Sequence, residues 1–260
     1  MTLVHVLLAT LATGLLSVLA AALVSVTLLK GVVHRLVSLS AGLLLATAVL
    51  HLLPEAMESG ADLHGLCATL LAGLVGFFLL EKMAILRHSH HYEGDGHEHE
   101  HGHDRHEAGP GGTLILVGDA IHNFADGVMI AAAFTADVGL GWLTAVAIAA
   151  HEVPQEIGDF ILLLNAGYSR GRALLFNALA SLAAVAGGLV GWFALSAGDS
   201  LKPHVLMLAA ASFIYIALAD LVPDLHRESR RARAGWLRQF MLMAAGILII
   251  AFMTHRLHAH

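Results

Sequence analysis

The sequence predicts an all-α polytopic membrane protein, organised as one transmembrane domain over residues 1–260. Three observations predict it. Only 13% of the residues are charged and 57% are hydrophobic, where a soluble domain carries about a quarter charged. Eight apolar runs recur along the chain at lengths suited to crossing a bilayer. Most of the connections between them are short, as in a compact helical bundle.

The same composition excludes several classes. The formal charge of −6, with no basic face, does not suit a nucleic-acid partner. The single Cys67 excludes an intramolecular disulfide and a cysteine-based zinc knuckle, and reads as a small apolar residue within a span. No positive n-region precedes the first apolar run, so it reads as a retained span and not a cleaved signal.

The eight expected spans are Leu3–Leu29, Leu36–Met57, Leu63–Leu86, Thr113–Thr135, Leu140–Leu164, Arg172–Ser196, His204–Leu225 and Gly235–His255. Basic residues set their direction. Lys30 and Arg35 follow span one. Lys82, Arg87 and Arg105 flank the third loop, Arg170 and Arg172 the fifth. Arg227, Arg230, Arg231, Arg233 and Arg238 lie between spans seven and eight. Twelve of the fourteen Lys and Arg thus fall on one side, leaving Lys202 and Arg256 on the other. The positive-inside rule puts the richer side in the cytoplasm and both termini outside, with the cell (inner) membrane as the expected location.

Span two ends His51-Leu-Leu-Pro54-Glu55, and span seven ends Asp220-Leu-Val-Pro223-Asp224. The two share a grammar of polar residue, two aliphatics, proline and carboxylate, on spans that run in opposite directions. One reading is an inverted repeat with interrupted helices, a transporter feature. The other is that proline plus acid punctuates a helix end, with Asp220 and Asp224 as interfacial caps.

The third loop, 88–111, is the one long connection. It carries His88, His90, His91, His97, His99, His101, His103 and His106, eight of the chain's nineteen histidines. Its polar, low-complexity composition predicts a disordered cytoplasmic segment that holds Zn²⁺ loosely in many arrangements, with a solvated spacer as the plain alternative.

Spans four and five carry the chemistry. Asp119, His122 and Asp126 share a face of span four, one turn apart. His151, Gln155 and Asp159 form a similar stripe on span five, with Glu152 and Glu156 beside it. Ionisable groups at such depth are costly and usually mark an ion path or active site. Imidazoles, carboxylates and amide oxygens are ligands for divalent transition metals. Pro154 donates no N–H and should leave the carbonyl of Ala150 free beside the cluster. The two spans run antiparallel, so His122 is expected level with Gln155, and Asp126 level with His151. Asn123 and Glu152 could complete a second metal that shares Asp126. One metal or two stays open at this point. His51, Glu55, Asp62 and His64 would line the outer approach; Asp119, Glu156, Asp159 and Asp224 the inner one.

His122-Asn-Phe-Ala-Asp126-Gly127 followed by His151-Glu-Val-Pro-Gln155-Glu-Ile-Gly-Asp159 resembles the paired signature of the ZIP family of zinc/iron-regulated metal transporters, with the LIV-1-like branch nearest. The resemblance implies eight spans, with one to three related to six to eight by an inverted repeat around four and five. It also implies two adjacent metal sites and Zn²⁺ as substrate. The family pattern commonly has histidine where Gln155 stands. An amide oxygen there makes the shell more oxygen-rich, so Fe²⁺, Mn²⁺ and Cd²⁺ stay open as further cargo.

The expected function is therefore alternating-access transport of Zn²⁺ into the cytoplasm, not enzymatic catalysis. The competing reading is an intramembrane zinc-dependent hydrolase. His151-Glu152 begins an H-E-x-x-H pattern, but Gln155 stands where its second histidine belongs. Implied partners are the lipid bilayer and divalent metal ions, with a homodimer open.

Overall fold

The computed structural model describes residues 2–24, 29–89, 108–196, 198–222 and 235–257. Among these residues the regular structure is entirely helical. In chain order the helices are α1 (Thr2–Val24), α2 (Leu29–Thr47), α3 (Leu53–Glu58), α4 (Leu63–Ser89), α5 (Ala108–Ala136), α6 (Val138–Asn165), α7 (Arg170–Ser181), α8 (Ala183–Ser196), α9 (Lys202–Tyr215) and α10 (Gly235–Leu257). Five stretches are long and apolar enough to cross a bilayer: Thr2–Leu23, Arg35–Glu58, Arg170–Ser196, Lys202–Ala219 and Trp236–Thr254. α5 and α6 are as long, at 29 and 28 residues, but are interrupted by the ionisable residues of the candidate site.

Local chemistry sets the helix ends. The Asp137 carboxylate accepts from the Leu140 N–H at 2.9 Å and caps α6. Gly167, at φ +84°, closes the same helix in the left-handed region that favours glycine. The turn between α5 and α6 is therefore short and holds the two helices antiparallel.

Two helices open into a single π turn. Over Ala48–Leu52 the Leu53 N–H reaches back five residues to the Ala48 carbonyl. Over Ile216–Leu221 the Val222 N–H reaches the Ala217 carbonyl in the same way. The first turn sits directly before Pro54, whose ring crowds the carbonyl four residues back; widening the turn by one residue relieves that clash. The second occupies the matching place before Pro223, which lies outside the described residues. The expected sixth span is also not one continuous helix, since α7 and α8 meet at Leu182, whose N–H bonds to the Ala178 carbonyl at 3.3 Å.

Glycines let helices approach closely in two seams. A Cβ at Gly187 would collide with the Phe124 carbonyl, and one at Gly127 with the Ala184 carbonyl, so α8 lies directly against the back of α5. Gly42 and Gly246 do the same for α2 and α10. The packing sorts the helices into two sets. α1, α5, α6, α7 and α8 pack mainly on one another; α2, α3, α4, α9 and α10 form the other set. The sets meet chiefly where α2 lies on α6 and α5 on α9. The core at this junction includes Leu44, Ile130, Ile148, Met207 and Phe213, all nearly inaccessible to solvent.

Candidate metal site

The midpoints of α5 and α6 fall at His122 and at His151–Glu152. With α8 pressed on the back of α5, the polar stripe of α5 is turned toward α6. Four side chains converge there: His122, Asp126, His151 and Glu152, with one donor atom from each lying within 4.8 Å of the others. His122 Nε2 lies 3.3 Å from His151 Nε2, 3.5 Å from Glu152 Oε1 and 3.8 Å from Asp126 Oδ2. His151 Nε2 lies 3.3 Å from Asp126 Oδ2 and 3.8 Å from Glu152 Oε1. Donors bonded to a tetrahedral Zn²⁺ at about 2.1 Å stand about 3.4 Å from one another. The five spacings given above lie close to that value.

Burial points the same way. Asp126, His151 and Glu152 are almost fully enclosed, and both oxygens of Asp126 and of Glu152 have no hydrogen-bond partner. Two carboxylates placed side by side in an apolar bundle repel each other and cost several kcal/mol each to desolvate, on the order of magnitude for buried ions. A divalent cation cancels both charges and fills both sets of lone pairs. The ring of His151 is oriented as a ligand, because its Nδ1 lies 3.3 Å from the Ala147 carbonyl and a proton held there leaves the Nε2 lone pair facing the cluster.

Comparison with known proteins agrees with this chemistry. The family model described as ZIP Zinc transporter matches residues 1–110 and 86–254, which together cover nearly the whole chain. The chain belongs to the ZIP family. Similar proteins include the metal cation symporter ZIP14 of Danio rerio, 43% identical over 140 residues. Zinc transporter ZIP4 of Mus musculus is 42% identical over 135 residues, and zinc transporter ZIP6 of Homo sapiens 38% identical over 137. Each match takes in 52% of this chain, but only 28%, 20% and 18% of those longer relatives respectively.

In this ZIP chain Asp126 and His151 are level, as the antiparallel geometry predicts, whereas His122 and Gln155 are not paired. His122 faces Glu152 and His151 instead, and the Gln155 amide nitrogen lies 3.5 Å from Asp119 Oδ1. The His122 imidazole leans toward Asp126 and Glu152, so the two expected levels collapse into one centre. Asp119, one turn before His122 on α5, gathers the polar neighbours: its Oδ1 also accepts from Asn123 Nδ2 at 2.9 Å. The carbonyl of Ala150 is not free either. Ser40 Oγ, from α2, donates to it at 2.5 Å.

One turn beyond Glu152 on α6, Glu156 is completely buried and neither carboxylate oxygen has a hydrogen-bond partner. Asn177 of α7 donates its amide to the Glu156 backbone carbonyl at 3.0 Å, while its own Oδ1 is unpartnered. Asp159 is half-buried on the next turn. Asp220 lies on the second π turn; Asp224 falls outside the described residues. His88 lies on the last turns of α4, and His90, His91, His97, His99, His101, His103 and His106 all fall outside the described residues.

At the other end, His51 is buried and hydrogen-bonded to the Thr254 hydroxyl of α10. His51, Glu55, Glu58 and Asp137 line a cavity of about 410 Å³. Glu55 and Glu58 also border a wider one of about 820 Å³ beside Lys202 and His204. Asp62 and His64 are exposed and line neither. Sequence reasoning missed Glu58 and Asp137. Glu58 is three residues beyond Glu55 and so shares its helical face, which was the available signal; nothing near Asp137 marked it as more than a cap.

Proposed function

We propose that this chain carries Zn²⁺, with Fe²⁺, Mn²⁺ or Cd²⁺ as further cargo, across a membrane into the cytoplasm, and that His122, Asp126, His151 and Glu152 hold the ion midway. One observation carries the reading: four donors within 4.8 Å of one another on two helix midpoints, with their carboxylate oxygens otherwise unsatisfied. The names of the relatives, zinc transporters and a metal cation symporter, support it. The hydrolase reading gains no support from the family, and Gln155 leaves its motif incomplete.

The path begins at the cavity beside Glu55, Glu58 and Asp137, whose carboxylates concentrate cations. The ion passes to the His–Asp–His–Glu cluster and leaves past Asp119, Glu156 and Asp159. Asn123 and Glu152 are the groups that would complete a second ion sharing Asp126. The eight-span topology has both termini outside the cell (inner) membrane and loop 88–111 in the cytoplasm as a metal-handling appendage. It rests on the twelve-to-two charge division. The inverted repeat of spans one to three and six to eight rests on the paired motifs and paired π turns. Alternating access then follows from relative movement of the two helix sets.

Reconstitution of the chain into liposomes with radiolabelled zinc outside tests the function. Saturable uptake that disappears in Asp126→Ala is expected. Uptake that survives Asp126→Ala and His151→Ala unchanged, in protein that inserts normally, sinks the assignment.

A further inference from the structure

We propose that Ser40 is a positioning residue for the metal site: its hydroxyl on α2 holds the backbone of α6 at the one carbonyl that Pro154 leaves without its helical partner. The inference rests on the function proposed above and adds a residue outside both sequence motifs.

The argument starts from the backbone of α6. A residue in a helix interior normally donates its N–H to the carbonyl four back; Pro154 has none, so the Ala150 carbonyl loses that partner. Ala150 immediately precedes His151 and Glu152, two of the four converging ligands. An unsatisfied carbonyl inside the bundle is costly, and a neighbouring Ser hydroxyl is one of the groups that relieves it. Ser40 does so at 2.5 Å, from a position 110 residues away and with only 1% of its surface exposed.

The same hydroxyl lies 2.7 Å from the Leu36 carbonyl of its own helix. A serine carries one hydroxyl proton, so one proton serves two acceptors. Bonded to Ala150, it pins α6 to α2, members of the two different helix sets. Bonded to Leu36, it is satisfied within α2 and α6 is released. The bond across the sets can therefore break without stranding the hydroxyl. The ligand pair His151–Glu152 is fixed against α2 in the arrangement seen and freed when the sets move. Removal of the hydroxyl should loosen the ligand pair, weaken ion holding and leave the ion easier to release.

A double-mutant cycle between Ser40→Ala and Pro154→Ala tests this in full-length protein. Pro154→Ala restores an N–H that can fill the Ala150 carbonyl from within α6, so it removes the need for Ser40. The Zn²⁺ dissociation constant is read by titration of purified protein, and half-saturation and maximal rate by liposome uptake. Ser40→Ala is expected to weaken Zn²⁺ binding roughly three- to tenfold, the span of a lost hydrogen bond, with the maximal rate undiminished. In the Pro154→Ala background the same change should matter less than about twofold. Backbone hydrogen exchange of the 147–158 segment in metal-free protein should quicken in Ser40→Ala only where Pro154 is retained. Equal effects of Ser40→Ala in both backgrounds, or no effect on binding and exchange in either, overturn the proposal. The exchange measurement needs no metal. A failure of zinc transport by the unaltered chain therefore counts against the proposed function, and the exchange result still decides the role of Ser40.

Discussion

The midpoint cluster and the cavity beside Glu55 contain similar groups and differ in what they can do to an ion. Both hold carboxylates and a histidine. At the midpoint the donors point at one another within 4.8 Å and are walled off. At the cavity Glu55, Glu58 and Asp137 border an open volume of about 410 Å³, and the Asp137 side chain is already engaged in capping α6. Convergence selects an ion by bonding to it; dispersal around open water raises its local concentration without choosing strongly among dications. The difference lies in the backbone. The midpoint donors sit on continuous helices, one of them backed by a glycine seam, whereas Glu55 and Glu58 sit beyond a π turn near a helix end.

The largest expected effect breaks the midpoint. Asp126→Ala removes the carboxylate nearest His151 and leaves Glu152 to hold the ion with two imidazoles. Zinc affinity should fall by about a hundredfold or more, as read by calorimetric titration in detergent. A change under tenfold would mean the ion sits elsewhere.

Next is a change that touches the midpoint only from behind. In Gly187→Ala the added methyl meets the Phe124 carbonyl and pushes α8 off α5. Overpacking of this kind costs about 1–3 kcal/mol. A lowered melting temperature together with weaker zinc binding is expected. Full thermal stability would show that the seam gives way easily and does not aim the stripe of α5.

The acids of the cavity should behave more gently. The Glu55→Gln and Glu58→Gln pair is expected to raise the half-saturation concentration for uptake roughly three- to tenfold at low salt. The effect should shrink as salt screens the cavity. Zinc affinity at equilibrium should hold within about twofold. Loss of equilibrium binding on the scale of Asp126→Ala would place a tight site at the mouth and erase the distinction.

The smallest effect is expected at Gln155. Its amide is directed to Asp119, not to His122. Gln155→His should therefore alter the preference for zinc over manganese by less than about threefold in competition uptake. A tenfold gain for zinc would put position 155 in the ion's shell.

Much of this site is legible in the sequence because helical periodicity is a one-dimensional signal. The spacing of His122 and Asp126, and their burial in apolar runs, mark them without any coordinates. The facing of α5 and α6 is only half legible: spacing pairs Asp126 with His151 correctly, but it also pairs Gln155 with His122. Side-chain reach and crossing geometry decide such pairings, and spacing contains neither. Ser40 is invisible for a related reason. Pro154 announces an unpaired carbonyl, but nothing near it says that the partner comes from a helix 110 residues earlier. The π turns are half announced: the prolines predict interruption, but not that one residue is accommodated by widening the helix.

The four ligands do not share solvent equally. The His122 side chain keeps 23% of its surface exposed, against 1–2% for Asp126, His151 and Glu152. A cage with one wetted wall gives ligand exchange a preferred order. For an ion held there, water would arrive beside His122 first, so departure would proceed by successive substitutions and would not require all four bonds to break together. Each partly coordinated stage would divide one high barrier into several low ones. Speed of release would then follow the accessibility of the weakest wall, and strength of binding the three side chains that stay dry.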